Sequence, residues 1–281
     1  MPRLHFIFFY TEGQNGDSLE SLQESAIFFD EHREYFDTIQ GYTPKKLMAS
    51  GNHWKKTLED QTFWVQNHPK FSEDLNWNKS WAQLNFFAFK PLLILENLTS
   101  ELISEGDIVF YHDINIDKYP EYKIQIKKWK TFILSQIKDY DVIVFNDNDI
   151  DFRRDTKQEV IDFFNLNHVT GHHLWAGAIP IKKTKAGINF CKEWSTATSN
   201  RDLVSPFSET KFENFYWNAV DQAILTALYY SQKVHDLKVK IKCLNLNNVR
   251  IIPPVRSKQV GKFLAYFFRK YAIFKKKIYE S

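Results

Sequence analysis

The stretch Glu105–Asn115 reads EGDIVFYHDIN, an apolar run that ends in a histidine, an aspartate and an asparagine. Carboxylate and amide oxygens are the ligands that a hard divalent cation such as Mg²⁺ or Mn²⁺ prefers, and such a cation often shares them with the phosphates of a nucleotide. An Asp-x-Asp at a strand end supplies that clamp. Here the pattern is Asp113-x-Asn115, with Asp117 two residues further on. The same residues are also suited to an Asx-type turn after the strand. A second acidic group, Asp147, Asp149 and Asp151 in DVIVFNDNDID, has the better Asp-x-Asp spacing and equally reads as a solvated loop before a helix. Spacing alone does not rank the two.

Other residues carry possible chemistry. Lys90 precedes Pro91, a residue suited to the first turn of a helix, and a helix N-terminus with a lysine attracts phosphate; otherwise Lys90 is a surface cation. Asp221 and Gln222 open the apolar segment AILTAL, where a carboxylate stabilises the helix N-terminus. His112, His172 and His173 read first as structural histidines and second as ligands, and Trp175 offers a face for a sugar ring.

The elements that must position these groups follow from hydrophobic patterning. LHFIFFY is a continuous apolar run that reads as a buried strand feeding the turn-rich TEGQNGDS. LESLQESAIFFDEHREY has helical spacing, with Ser18 as N-cap and an incomplete capping box, and FDTIQGYT reads as a strand and turn. FFAFKPLLILENLTSELISEGD predicts a helix closed by Gly106, DIVFY a strand, YKIQIKKWKTFILSQIKDY a helix and DVIVF a strand. HLWAGAIPI is strand-like, and AGINFCKEWSTA and WNAVDQAILTALYYSQ are helical. Alternating strands and helices favour an α/β fold, a mostly parallel central sheet flanked by helices. Ligands of such sheets gather outside the carboxyl ends of the strands, where the loop after DIVFY lies.

Three segments together resemble a known pattern. FFAFKPLLILENL followed by EGDIVFYHDIN, then LWAGAIPIKKTKAGINFCKEW, then WNAVDQAILTAL are similar, in order, to segments of bacterial glycosyltransferases of the GT-A type that act in surface polysaccharide (capsule or lipopolysaccharide) assembly. The resemblance spans roughly residues 80 to 230. It departs at Asn115, where the family usually has glycine, at Phe89, where it has tryptophan, and at Asn218-Ala219-Val220, where a His-Arg-aromatic triplet often stands.

The resemblance implies a GT-A-like, Rossmann-like domain that binds a nucleotide-sugar at the carboxyl ends of a sheet, with Mn²⁺ or Mg²⁺ bridging a strand-end carboxylate and the diphosphate. It makes Asp113 the primary metal ligand, with Asn115 a weaker oxygen donor. Thr11, Glu12 and Gly13 are placed at the base or ribose, Lys90 and His112 beside the diphosphate, Trp175 and Gly177 against the donor sugar, and Asp221 with Gln222 at the reacting centre. The expected reaction is transfer of a hexose from a UDP-sugar to a glycan or lipid-linked glycan acceptor. A catalytically silent carbohydrate-binding or scaffolding relative is the alternative, since Asp-x-Asp has become Asp-x-Asn. A sugar nucleotidylyltransferase would need a Gly-rich N-terminal loop with nearby Arg and Lys, which TEGQNGDS lacks.

Composition sets the outer limits. The 281 residues suffice for one large α/β domain, and 43% hydrophobic against 25% charged residues is the balance of a folded globular chain. The 25 Phe, 13 Tyr and 8 Trp supply an aromatic core and candidate stacking surfaces. Cys191 and Cys243 lie far apart without metal-ligand spacing, so a reducing compartment is expected. RLHFIFFY is too short for a signal core, and no run approaches the about eighteen apolar residues of a membrane span. A net charge of +3 is too mild to point to nucleic acid. The simplest division is a catalytic domain over 1–255 and a basic amphipathic tail over 256–281. In that tail Leu264, Phe267, Phe268, Tyr271, Phe274 and Ile278 line one helical stripe and lysines stand off it, as in a helix lying on an anionic membrane; a C-terminal helix docked on its own domain is the alternative. A cytoplasmic protein, peripheral on the inner face of the cell membrane, is expected.

Overall fold

The computed structural model describes residues 1–9, 27, 31–54, 57–58, 89–113, 121–204 and 220–245. The expected helix over LESLQESAIFFDEHREY falls mostly outside them, and its described end, Arg33–Tyr35, is a single 3-10 turn. The loop 11–13, Asn115, Asp117 and the tail 256–281 also lie outside the described residues.

Seven strands form one sheet: β1 (Leu4–Phe9), β2 (Thr38–Tyr42), β3 (Ile108–Asp113), β4 (Val142–Asp151), β5 (His172–Trp175), β6 (Ala178–Lys182) and β7 (Ile241–Asn245). The order runs β2–β1–β3–β6–β4, and β4 also pairs with β5 and β7. Strand β1 is parallel to β2 and β3, and β4 to β7, whereas β6 is antiparallel to both β3 and β4 and β5 is antiparallel to β4. Strands β1, β2, β3, β4 and β7 therefore run one way and β5 and β6 the other, so the mostly parallel sheet of the sequence reading is a mixed one.

The two-residue period of the strands sorts their apolar side chains into two cores. On one face Ile7, Phe9, Val109, Tyr111, Val142 and Val144 pack against the helices α2 (Phe89–Thr99), α5 (Lys185–Ser199) and α7 (Val220–Tyr230). On the other, Leu4, Phe6, Phe8, Ile108, Phe110, Ile143 and Phe145 pack against Ile126, Trp129, Ile133 and Ile137, the inner stripe of α3 (Glu121–Gln136) and its exit. Strands buried on both faces read as continuous apolar runs. That is why LHFIFF and IVFY show no alternation in sequence.

Local chemistry sets the ends of the helices. The hydroxyl of Thr43 accepts from the Lys46 N–H at 3.2 Å ahead of α1 (Pro44–Ser50), and that of Thr184 accepts from the Gly187 N–H at 3.0 Å at the start of α5. Helix α2 stops at Thr99, earlier than expected. Asn97 and Thr99 turn their side chains back onto the Leu93 and Leu95 carbonyls at 2.8 and 2.9 Å, and a three-residue bond from Ser100 N–H to Asn97 O at 3.2 Å tightens the last turn. Gly106, at φ +85°, instead turns the chain into β3, donating its N–H to Lys183 O at 2.9 Å. Between Gln158–Phe163 (α4) and Gln232–Asp236 (α8) the expected single strand HLWAGAIPI is broken at Ala176–Gly177 into β5 and β6. No helix among the described residues is long and apolar enough to cross a membrane.

Candidate functional site at the carboxyl edge of the sheet

Strand β3 ends at the carboxyl edge with Tyr111, His112 and Asp113, and its period sends the side chains to two opposite faces. Tyr111 and Asp113 share the face covered by α2 and α7, while His112 projects to the α3 side. There His112 stacks on Trp129 at 4.8 Å between centroids and meets the edge of Trp175 at 5.8 Å. Its Nδ1 lies 2.5 Å from the Asp113 carbonyl oxygen, so Nδ1 carries the hydrogen. Burial pushes the His112 imidazole down to about 4. His112 is therefore a neutral, packed side chain that is not brought to the Asp113 carboxylate.

What does meet Asp113 is Lys90, from the first turn of α2. Lys90 Nζ lies 3.2 Å from Asp113 Oδ1 and 3.2 Å from Asp221 Oδ2, and donates to the Ala176 carbonyl at 3.4 Å. The Lys90 and Asp221 side chains are 4% and 2% exposed, whereas that of Asp113 is 31% exposed. Asp113 is thus the open end of a buried charge cluster. Tyr111 completes it by donating its hydroxyl to Asp113 Oδ1 at 2.9 Å, with Lys90 Nζ 5.6 Å from its ring centroid.

The electrostatics follow from burial and count. Burial opposes the Lys90 charge, but the Asp113 and Asp221 carboxylates outweigh it and raise its pKa above the ordinary lysine value. Burial, helped by the charge of Asp113 and resisted by Lys90, pushes the Asp221 carboxyl up to about 7. Tyr111 is held well above its ordinary value by burial and by Asp113. With one ammonium facing two carboxylates, the cluster carries no net positive charge at neutral pH. It favours a cation at its open end over a bare phosphate, and Lys90 is capped by carboxylates rather than exposed as a phosphate anchor.

Three further contacts fix Asp221. The Trp194 indole N–H donates to the Asp221 carbonyl at 3.3 Å, the Gln222 side-chain oxygen accepts from Ala176 N–H at 3.1 Å, and the Thr226 hydroxyl accepts from Leu174 N–H at 3.0 Å. The amino end of α7 is hooked in this way onto the β5–β6 turn. Gly177 belongs to that turn: its carbonyl accepts from Asp113 N–H at 2.8 Å, and a Cβ on it would stand 2.3 Å from the Trp175 indole. Trp175 itself packs with Phe145 and His112 on the α3 face, away from the carboxylate cluster.

Of the residues expected from sequence, Lys90, Asp113 and Asp221 converge, Gln222 and Gly177 support the turn beside them, and His112 and Trp175 lie on the opposite face. Thr11, Glu12, Gly13 and Asn115 are outside the described residues. Tyr111 was not anticipated, although its place two residues before Asp113 on a strand puts both on one face. His173 is buried on β5 in register with Asp147, and burial pushes it down to about 4.

Among the described residues no three His, Cys, Asp or Glu side chains converge to hold a divalent cation. An open site of the kind that Mg²⁺ favours needs fewer, because one carboxylate is joined by substrate phosphates and water. Asp113, part-exposed in a cluster without net positive charge, fits that role, with Asn115 two residues on as the sequence's second oxygen donor.

Neither a protein-family model nor a curated protein sequence matches the chain. Among solved structures, a mannose-6-phosphate isomerase from Helicobacter pylori aligns over 87% of this chain and 98% of that chain, at 12% identity and a TM-score of 0.34. A likeness that slight carries no argument about fold or activity.

Proposed function

We propose that the chain is a GT-A-like glycosyltransferase that moves a hexose from a nucleotide-diphosphate sugar, a UDP-sugar in the first instance, to a surface-glycan or lipid-linked acceptor. The observation that carries the reading is the convergence of Lys90, Asp113 and Asp221 at the carboxyl edge of the sheet, with Asp113 open and the other two buried. Charges brought together from distant parts of the chain, at the edge where α/β sheets bind ligands, support a site that handles a diphosphate through a shared cation. The three segments of sequence resemblance supply the reaction class.

Cleaving a sugar–phosphate bond develops negative charge on the departing diphosphate. Mn²⁺ or Mg²⁺, held by Asp113 and Asn115, would supply positive charge there when bound. The chain's own residues do the rest. Lys90 holds the Asp113 carboxylate from the inner side. Asp221, with a carboxyl near 7, is assigned the proton of the acceptor hydroxyl or the orientation of the donor sugar. The basic tail over 256–281 is assigned to the anionic inner face of the cell membrane, where a lipid-linked acceptor is met.

The test is a panel of nucleotide-sugars with and without Mn²⁺, read as release of nucleoside diphosphate and as thermal stabilisation of the full chain. Metal-dependent stabilisation by a UDP-sugar, lost in Asp113→Ala while the protein stays folded, is expected. If no nucleotide-sugar raises the melting temperature or is turned over, the assignment fails.

A further inference from the structure

We infer that Tyr111 is a positioning residue whose buried hydroxyl fixes the rotamer of Asp113, so that the carboxylate presents one constant edge to whatever cation and diphosphate the open end receives. The inference rests on the donor-site reading for its purpose and on geometry alone for its mechanism. An aspartate at a strand end has two free torsions, and its terminal one is broad and nearly unconstrained by the backbone. Lys90 does not remove that freedom: its Nζ reaches Oδ1 at 3.2 Å and Oδ2 at 3.4 Å, so rotation of the carboxylate exchanges one contact for the other. The Tyr111 hydroxyl, 2.9 Å from Oδ1, distinguishes the two oxygens.

Tyr111 is equipped to hold still. It is 1% exposed and sits within the core that α2 and α7 cover. A carboxylate oxygen can only accept, so the phenol is the donor between them. The hydrogen bond therefore has one direction, from Tyr111 to Asp113. A ligand whose carboxylate partner wanders pays in ordering entropy on binding; a held carboxylate does not. Bonds to charged acceptors are also the stronger class.

The experiment compares Tyr111→Phe with Tyr42→Phe in the full chain. Tyr42 is the control because its hydroxyl also donates to a side chain, Asn97 Oδ1 at 2.9 Å, at the far side of α2. Two readouts are taken on the same samples. The first is the rotamer of Asp113, its first torsion from NMR couplings to its Cβ protons and the setting of its carboxylate from crystal structures of the three proteins. The second is the affinity for Mn²⁺ with UDP. One rotamer in wild type and in Tyr42→Phe, with averaging in Tyr111→Phe, is expected. About a tenfold weaker Mn²⁺–UDP affinity should accompany it in Tyr111→Phe alone. A single unchanged rotamer in Tyr111→Phe overturns the inference whether or not UDP binds. Absence of Mn²⁺–UDP binding in the wild type overturns the donor-site reading and leaves the rotamer to decide the role of Tyr111.

Discussion

Lys90 and Asp221 meet at 3.2 Å with their side chains 4% and 2% exposed, one from the start of α2 and the other from the start of α7. A buried ion pair contributes little net stability, because desolvation consumes most of the Coulombic gain, but breaking it leaves an uncompensated charge. Lys90→Met is therefore expected to cost about 3 to 5 kcal/mol, since both Asp221 and Asp113 lose their cation. Lys90→Met with Asp221→Leu should recover much of that loss. Urea denaturation of the single and double variants checks it, and additive losses would show that the two side chains do not act as a pair.

The pH dependence of stability sets this cluster against two histidines. Burial lowers His112 and His173 from the ordinary 6.5 to about 4, so in that window the unfolded chain binds protons that the fold excludes. Their contribution is complete above the ordinary histidine value and is lost as pH falls through the window. Asp221 opposes them. Its carboxyl rises from 3.8 to about 7, so the fold keeps a proton the unfolded chain has released, and stability falls as pH rises through that range. From these three groups, two histidines less one carboxylate leave stability rising with pH near pH 5.5, by on the order of 1 kcal/mol per pH unit. Asp221→Asn removes the opposing group and should steepen that rise, while His173→Gln should flatten it. Denaturant titrations on either side of that pH, compared between variants, give the answer; equal slopes in wild type and Asp221→Asn would remove the assigned ionisation.

How far these features are legible in sequence depends on the distance that the cause must travel. The strand Ile108–Asp113 shows in its own composition, and its period gives Tyr111 and Asp113 a common face. Lys90, 23 residues earlier, reads as a helix-terminal cation, and only the packing of α2 on β3 turns it inward between two carboxylates. The break at Ala176–Gly177 is invisible in the apolar run LWAGAIPI. Part of its cause is remote: Gln222 and Thr226 bond the Ala176 and Leu174 N–H groups from 46 and 52 residues away. His112, which the resemblance sets beside the diphosphate although the residue itself reads first as structural, packs on Trp129, because neighbours in a strand point to opposite faces of the sheet.

Gly177→Ala tests how tightly that turn is built. The added Cβ would stand 2.3 Å from the Trp175 indole, so either the indole leaves its place against Phe145 and His112 or the turn shifts and takes the Gly177 carbonyl away from Asp113 N–H. Overpacking of this kind costs about 1 to 3 kcal/mol. Pairing it with Trp175→Ala removes the clash, and the double variant should lose less than the sum of the singles. Thermal unfolding of the three variants measures this, and strict additivity would mean the indole is not what excludes a side chain at Gly177.

Gln222 can be separated from a direct role in chemistry by what its oxygen does. Ala176 N–H can only donate, so the group that faces it at 3.1 Å must be the amide oxygen, whichever way the amide would otherwise turn. Gln222→Leu leaves that buried N–H without an acceptor and should cost about 1 to 3 kcal/mol. Gln222→Glu keeps an acceptor of the same reach and should restore most of the stability. If Gln222 acts only by anchoring the turn, Gln222→Glu should also keep the Mn²⁺–UDP affinity of the wild type. If the amide NH₂ serves a ligand, Gln222→Glu will fold normally and bind poorly, because a carboxylate offers no donor there. Calorimetry on the two variants beside their denaturation curves therefore distinguishes a hook on the β5–β6 turn from a ligand contact.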